Sequence, residues 1–268
     1  MLQLIRSFPY YNTLNIVNAL NTGWIIRISW IVFISSVFTA CASNPSADKA
    51  DEEYIRIYGP ANAHIELALS YVSAKDFPSA LEQLEKSANL TPLNSELDHA
   101  YGIYYQKTAD IEKAQKHFQD AVRKEPANPQ YNNNYGVLLS QIGKYKEALK
   151  RFSIAYSSEE YSNRAAAYEN HADIKVQQGD HASALKNYKK ALELNPQWFL
   201  LEVKIANSLY NQGIFAEAHN SFENYMLRVN SLSIRPSNQD IELGLAIAAA
   251  IKDYNKVEEY KNLLEKLN

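Results

Sequence analysis

The sequence predicts an all-α protein, a superhelical solenoid of about six helix hairpins, and three observations carry that expectation. The first is residues 132–152, NNNYGVLLSQIGKYKEALKRF, where side-chain size is specified place by place. Tyr135 and Gly136 set a ring beside a missing side chain, Leu139 follows one turn on, Gly143 and Tyr145 make a corner, and Ala148 and Phe152 lie on the returning helix. Glycine and alanine let two helices cross closely, and the larger residues fill the space on either side. The second is recurrence: Pro92 and Pro126 close two copies of the pattern and lie 34 residues apart. The third is that each hairpin carries an apolar face that only a neighbouring hairpin covers, so the copies stack.

Composition narrows the function classes. A chain of 268 residues, 46% apolar and of net charge −3, buries a sizeable core and is neither disordered nor a coiled coil. Lys and Arg number 27 against 30 acidic residues, which leaves no electrostatic footprint for nucleic acid. The single cysteine allows no internal disulfide and no Cys-rich metal site.

Taken in order, residues 1–40 read as a signal region. The first 47 residues have no acidic side chain and two basic ones, Arg6 and Arg27. After Arg27 comes the short apolar stretch ISWIVFISSVF, then Thr39, Ala40 and Cys41. A basic flank, an apolar stretch and a small residue make an export signal. The competing reading, an uncleaved membrane helix over residues 24–40, is interrupted by Arg27 and is shorter than the ~20 apolar residues a span needs. Ending at Cys41, the segment resembles a bacterial lipoprotein signal. The resemblance implies cleavage before Cys41 and lipidation of it; Phe38 departs from the leucine usual at its place. Ala42 is not the aspartate that marks inner-membrane retention, so the implied address is the inner leaflet of the outer membrane, facing the periplasm. Residues 41–55 then form the lipidated cysteine and a flexible tether, plainest in ASNPSADKAD at 42–51.

Residues 56–268 are the solenoid, with repeats near 61–94, 95–128, 129–162, 165–198, 199–232 and 238–268. Marked places recur in register: Leu67, Ala68, Tyr71, Ala80 and Leu84; Tyr101, Gly102, Tyr105, Ala114 and Phe118; then the stretch around Tyr135. The fourth copy has Ala172, Ala184 and Tyr188, and the fifth Ala206, Ala218 and Phe222. Proline ends a second helix because it lacks an amide hydrogen and clashes with the preceding turn. This spacing and pattern is similar to the tetratricopeptide repeat. The last segment, with Val257, Tyr260, Leu263 and Leu264 on one side and charges around the rest, reads as a solvating cap.

By analogy with that family, the first helix of each hairpin lines the concave face. The groove expected to bind a partner contains Ile65, Leu69, His99, Ile103, Asn133, Asn134, Val137, Glu169, Asn170, Asp173, Val203 and Asn207. Tetratricopeptide proteins that clamp a C-terminal carboxylate place lysine or arginine at the groove positions, and none stands there. A mixed aliphatic and amide lining suits a peptide segment with apolar anchors. No catalytic constellation, metal site, cofactor site or small-molecule substrate site is expected. Glu169, His171 and Asp173 share a helix at spacings of two, which turns them to different sides. The six histidines show no ligand spacing.

Two stretches go beyond the generic repeat, Asn133-Asn134-Tyr135-Gly136-Val137-Leu138-Leu139 and the segment from Tyr161 through Arg164 to Glu169-Asn170. They resemble the type IV pilus biogenesis lipoproteins of the PilF/PilW type. The resemblance implies an outer-membrane pilotin that binds the pilus secretin subunit through protein–protein contact, promotes its localisation and multimerisation, and holds the membrane through its lipid. The alternative is an outer-membrane lipoprotein adaptor docking cell-wall hydrolases or outer-membrane assembly factors.

Overall fold

A computed structural model of the protein describes residues 45–267. The chain divides into two compact units, Met1–Asp51 and Glu52–Asn268. Of the first, only residues 45–51 are described, as the opening turns of one helix, and the expected signal region and Cys41 lie outside the described residues. The described residues form twelve helices and no strand: α1 (Pro45–Ser73), α2 (Phe77–Leu90), α3 (Ser95–Lys107), α4 (Ile111–Lys124), α5 (Pro129–Gln141), α6 (Tyr145–Ser157), α7 (Arg164–Gln177), α8 (His181–Leu194), α9 (Leu200–Asn211), α10 (Phe215–Ser231), α11 (Asn238–Ala250) and α12 (Tyr254–Leu267).

These are six successive hairpins, α1 with α2 through α11 with α12, in the register the proline spacing predicts. One expectation is corrected. Residues 45–55, read as flexible tether, lie in α1. Their alanines, glutamates and lysine are good helix formers, and Pro45 opens the helix, where a missing amide hydrogen costs nothing.

Each corner is built the same way. Two residues before the second helix the chain adopts a left-handed conformation, at Lys75, Ala109, Gly143, Gly179, Gly213 and Lys252, with φ between 60° and 76°. An aspartate then caps four of these helices. The carboxylates of Asp76, Asp110, Asp180 and Asp253 accept from the backbone N–H of Ser79, Lys113, Ser183 and Lys256 at 3.1–3.2 Å. A cap of this kind stabilises a helix by about 1 kcal/mol. Three second helices stop just before a proline: α2 before Pro92, α4 before Pro126 and α8 before Pro196. No proline follows α6. Its longer connection is held by the Arg164 Nε, which donates to the Tyr156 carbonyl at 2.9 Å.

The crossing places are as tight as their glycines require. A Cβ on Gly136 would stand 2.7 Å from Phe152 Cε1, and one on Gly102 would stand 2.6 Å from Phe118 Cδ1. Tyr135, Leu139 and Phe152 are buried around the first of these. The core runs from Ile65 through Phe118, Tyr135 and Phe152 to Phe222 and Tyr260, with Ile103 and Tyr105 shared between its first two stretches. Along the first-helix row, α3 approaches α5, α5 approaches α7, and α9 approaches α11; no pair of second helices comes as close. The first helices therefore lie on the inner side of the bend. In α12, Tyr260 is buried while Val257, Leu263 and Leu264 pack behind it, which closes the core at that end.

Candidate functional site

On the first-helix side, amides and charges, several of them expected in the groove, join one helix to the next. Asn94 Nδ2 donates to Asn62 Oδ1 at 3.1 Å, linking the residue that caps α3 to α1. The Asn134 amide meets His99 Nε2 at 2.9 Å, linking α5 to α3, and Gln106 donates to Gln141 at 2.7 Å across the same pair. Asn170 reaches Asn133 Oδ1 at 3.4 Å, linking α7 to α5, and Asn133 in turn donates to Asn134. Between α9 and α7 the link is ionic: Lys204 Nζ lies 2.8 Å from Glu169 Oε1 and 2.8 Å from Asp173 Oδ1. The result is a ladder of polar rungs laid across the row.

Each rung has an electrostatic consequence. Burial pushes His99 down to about 4, so it stays neutral and accepts from Asn134 while stacking on Tyr131 at 4.6 Å. Burial alone lowers Lys204, but the hydrogen bonds it donates to Asp173 and Glu169 outweigh it and hold the ammonium above its ordinary value. Tyr188 donates to the same Asp173 at 2.5 Å, and burial followed by that bond raises the phenol. Glu169 and Asp173, four residues apart, thus converge on one lysine, which corrects the expectation that they turn to different sides, whereas His171 turns away to Asn187 at 3.0 Å and the edge of Tyr156. Asn132 is enclosed as well. Its amide donates to the carbonyls of Pro126 and Asn128 at 2.8 Å and its oxygen accepts from Arg151, so the asparagine run ties the junction of two hairpins.

Ile65, His99 and Asn133 are corrected as groove-lining residues. They are 1%, 2% and 4% exposed, so they belong to the packing between helices and offer no surface to a partner. Asn134, Val137, Glu169, Asn170, Asp173, Val203 and Asn207 remain half-buried on the row, although all but Val137 and Val203 have internal hydrogen-bond partners.

Two expected residues do come together at an open site. Leu69 and Ile103 line a cleft of about 590 Å³ with Val72, Ser73 and Phe77, and Lys75 and Lys107 stand beside them. Its lining comes from the ends of α1 and α3, the corner after α1 and the start of α2. A second cleft of about 310 Å³ lies between α8, α9 and α10, lined by Leu192, Phe199, Glu202, Leu227 and Arg228 among others. Lys204, Lys75 and Lys107 were not expected at the site, because they lie beside the expected groove residues, in a corner and at a helix end. The available signal was the spacing of 35 residues between Lys204 and Glu169, one repeat plus one. Among the described residues no group of three or more His, Cys, Asp or Glu side chains is placed to hold a metal ion.

Comparison with known proteins gives the fold its relatives. Residues 129–197 match the family model of the tetratricopeptide repeat. The chain is similar to the solved structure of PilF from Pseudomonas aeruginosa, with a TM-score of 0.70 at 22% identity over 78% of this chain and 92% of that one. It is also similar to PilW, described as a widely conserved type IV pilus biogenesis factor, with a TM-score of 0.66 at 25% identity over 77% and 92% of the two chains. MamA from Desulfovibrio magneticus shares the fold at a TM-score of 0.56 and 17% identity, over 65% of this chain and 98% of that one. No curated protein matches the chain.

Proposed function

We propose that this chain is a scaffold of type IV pilus biogenesis, an outer-membrane lipoprotein of the pilotin kind that binds the pilus secretin subunit and promotes its localisation and multimerisation. The observation that supports the reading is the likeness to PilW, a pilus biogenesis factor, over nearly all of that chain. A row of stacked first helices with an apolar cleft at one end is suited to holding a protein segment, and it gives the scaffold its working face. In this reading lipidated Cys41 anchors the protein in the inner leaflet of the outer membrane.

The experiment deletes the gene and runs secretin from those cells on a denaturing gel. Loss of the detergent-resistant secretin multimer, restored by the intact chain, is the expected result; normal multimers in the deletion reject the pilotin role. Complementing with Val137→Asp tests the row itself. Val137 is half-buried and packs against the core, so circular dichroism on the variant is needed to separate loss of docking from loss of folding.

A further inference from the structure

We propose that the cleft between the first two hairpins takes a peptide in which a bulky apolar side chain lies next to a carboxylate, the apolar group entering between Leu69 and Ile103 and the carboxylate meeting Lys75 and Lys107. The inference rests on the scaffold reading only in that the ligand is a segment of a protein partner.

The floor sets the first half of the chemistry. Val72 is 5% exposed, and Leu69, Phe77 and Ile103 are half-buried around it, so the surface offered to a ligand is aliphatic and aromatic. A volume of about 590 Å³ accommodates one or two large side chains without movement of the helices. Ser73 offers little competition, since its hydroxyl donates to the Leu69 carbonyl at 2.9 Å.

The rim sets the second half. Among the described residues, two cations and no carboxylate belong to the lining. Lys75 and Lys107 are exposed and neither makes an ion pair among the described residues, whereas Lys86, Lys113, Lys124 and Lys204 are each held by a carboxylate. The nearest acid in sequence, Asp76, points its carboxylate at the backbone of Ser79 as a helix cap. An uncompensated pair of ammonium groups beside an apolar cavity is complementary to an anionic group carried next to an apolar one. The apolar contact supplies affinity and the lysines supply selection and on-rate. Both lysines lie outside the groove places where a carboxylate clamp places its cations, so their absence there does not bear on this site.

The test uses the purified full chain and fluorescein-labelled octapeptides followed by fluorescence anisotropy. The probe is Gly-Ser-Asp-Leu-Phe-Asp-Ser-Gly; one control replaces both aspartates by lysine and another replaces Leu-Phe by Ser-Ser. The acidic apolar probe is expected to bind about tenfold or more tightly than either control, and to weaken as salt rises from about 50 to about 300 mM. The variant Lys75→Glu/Lys107→Glu changes two exposed side chains, keeps its helical circular dichroism, and reverses the preference towards the lysine peptide. Equal binding of the three peptides, or unchanged affinity of the acidic probe for the double variant, overturns the proposal. Binding of decanoate that the variant abolishes, with no peptide bound, assigns the cleft to a fatty acid and also overturns it. The two readings fail separately. If the peptide preference is absent while gene deletion abolishes secretin multimers, the cleft assignment falls and the scaffold stands. A preference that holds beside normal multimers in the deletion removes the pilus role and keeps the cleft.

Discussion

Adding a methyl group at Gly136 probes the packing rule on which the whole stack depends. The new Cβ would lie 2.7 Å from Phe152 Cε1 and 2.9 Å from Cδ1. Carbon atoms in contact prefer about 3.5–4.0 Å, so the ring must withdraw by about 1 Å. Phe152 is 1% exposed, with Tyr135 and Leu139 packed around it, so no open side exists for it to move into. Overpacking of this kind costs about 1–3 kcal/mol, and alanine recovers about 1 kcal/mol of helix propensity over glycine, which leaves Gly136→Ala destabilised by about 0–2 kcal/mol. Gly136→Leu adds three more carbons at the same point and is expected at or beyond the upper end. Unfolding of the purified chain in urea, followed by far-ultraviolet circular dichroism, measures both. The decisive arm is coupling. In a Phe152→Leu background the space opens, so the penalty of Gly136→Ala should shrink by about 0.5–2 kcal/mol. A Gly136→Ala protein stabilised by the full propensity gain, with additive effects in the double variant, would refute the reasoning.

Gly143→Ala isolates backbone strain from packing, since its Cβ would meet nothing within 4 Å while φ is 76°; it should lose about 1 kcal/mol in the same urea assay, and Ala109→Gly, at φ 64°, should gain a similar amount. His99 has its pKa lowered by burial from 6.5 to about 4, so the unfolded chain takes up a proton that the folded one refuses. Stability therefore falls as pH drops from 6.5 towards about 4, by on the order of 3 kcal/mol, with His171 acting in the same direction, and His99→Gln flattens that part of the pH profile. Under the proposed localisation, Cys41→Ser removes the multi-chain anchor and should move the folded protein out of the outer-membrane pellet, as cell fractionation reads directly.

Much of the fold was legible because its determinants are local in size and regular in spacing. Tyr135, Gly136 and Phe152 announce a crossing on their own, and the prolines announce where hairpins end. The same place nevertheless has different burial in different copies. Leu67 and Tyr135 share a repeat place, yet Leu67 is 43% exposed and Tyr135 is 2% exposed, because no earlier described hairpin packs on the first. The candidate site was less legible for a related reason. Whether an amide faces a ligand or the next helix depends on a partner about 35 residues away, and Asn134 finds His99 there. Glu169 and Asp173 look available until Lys204 is placed beside them. The start of α1 was missed because alanine, aspartate and lysine compose a solvated linker as readily as an exposed helix, and periodicity cannot separate them where no apolar face recurs.

The rungs of the polar ladder are not alike, and mechanics follows from the difference. Those at Asn62, His99 and Asn133 join neutral groups, whose strength dissolved ions barely change. The rung at Lys204 joins charges that are still reached by solvent, and it stands where α7 and α9 lack the close approach seen between α5 and α7. Added salt therefore weakens the link between the fourth and fifth hairpins at this rung and leaves the neutral rungs as they are, while the apolar core shared by α7 to α12 keeps the two hairpins packed.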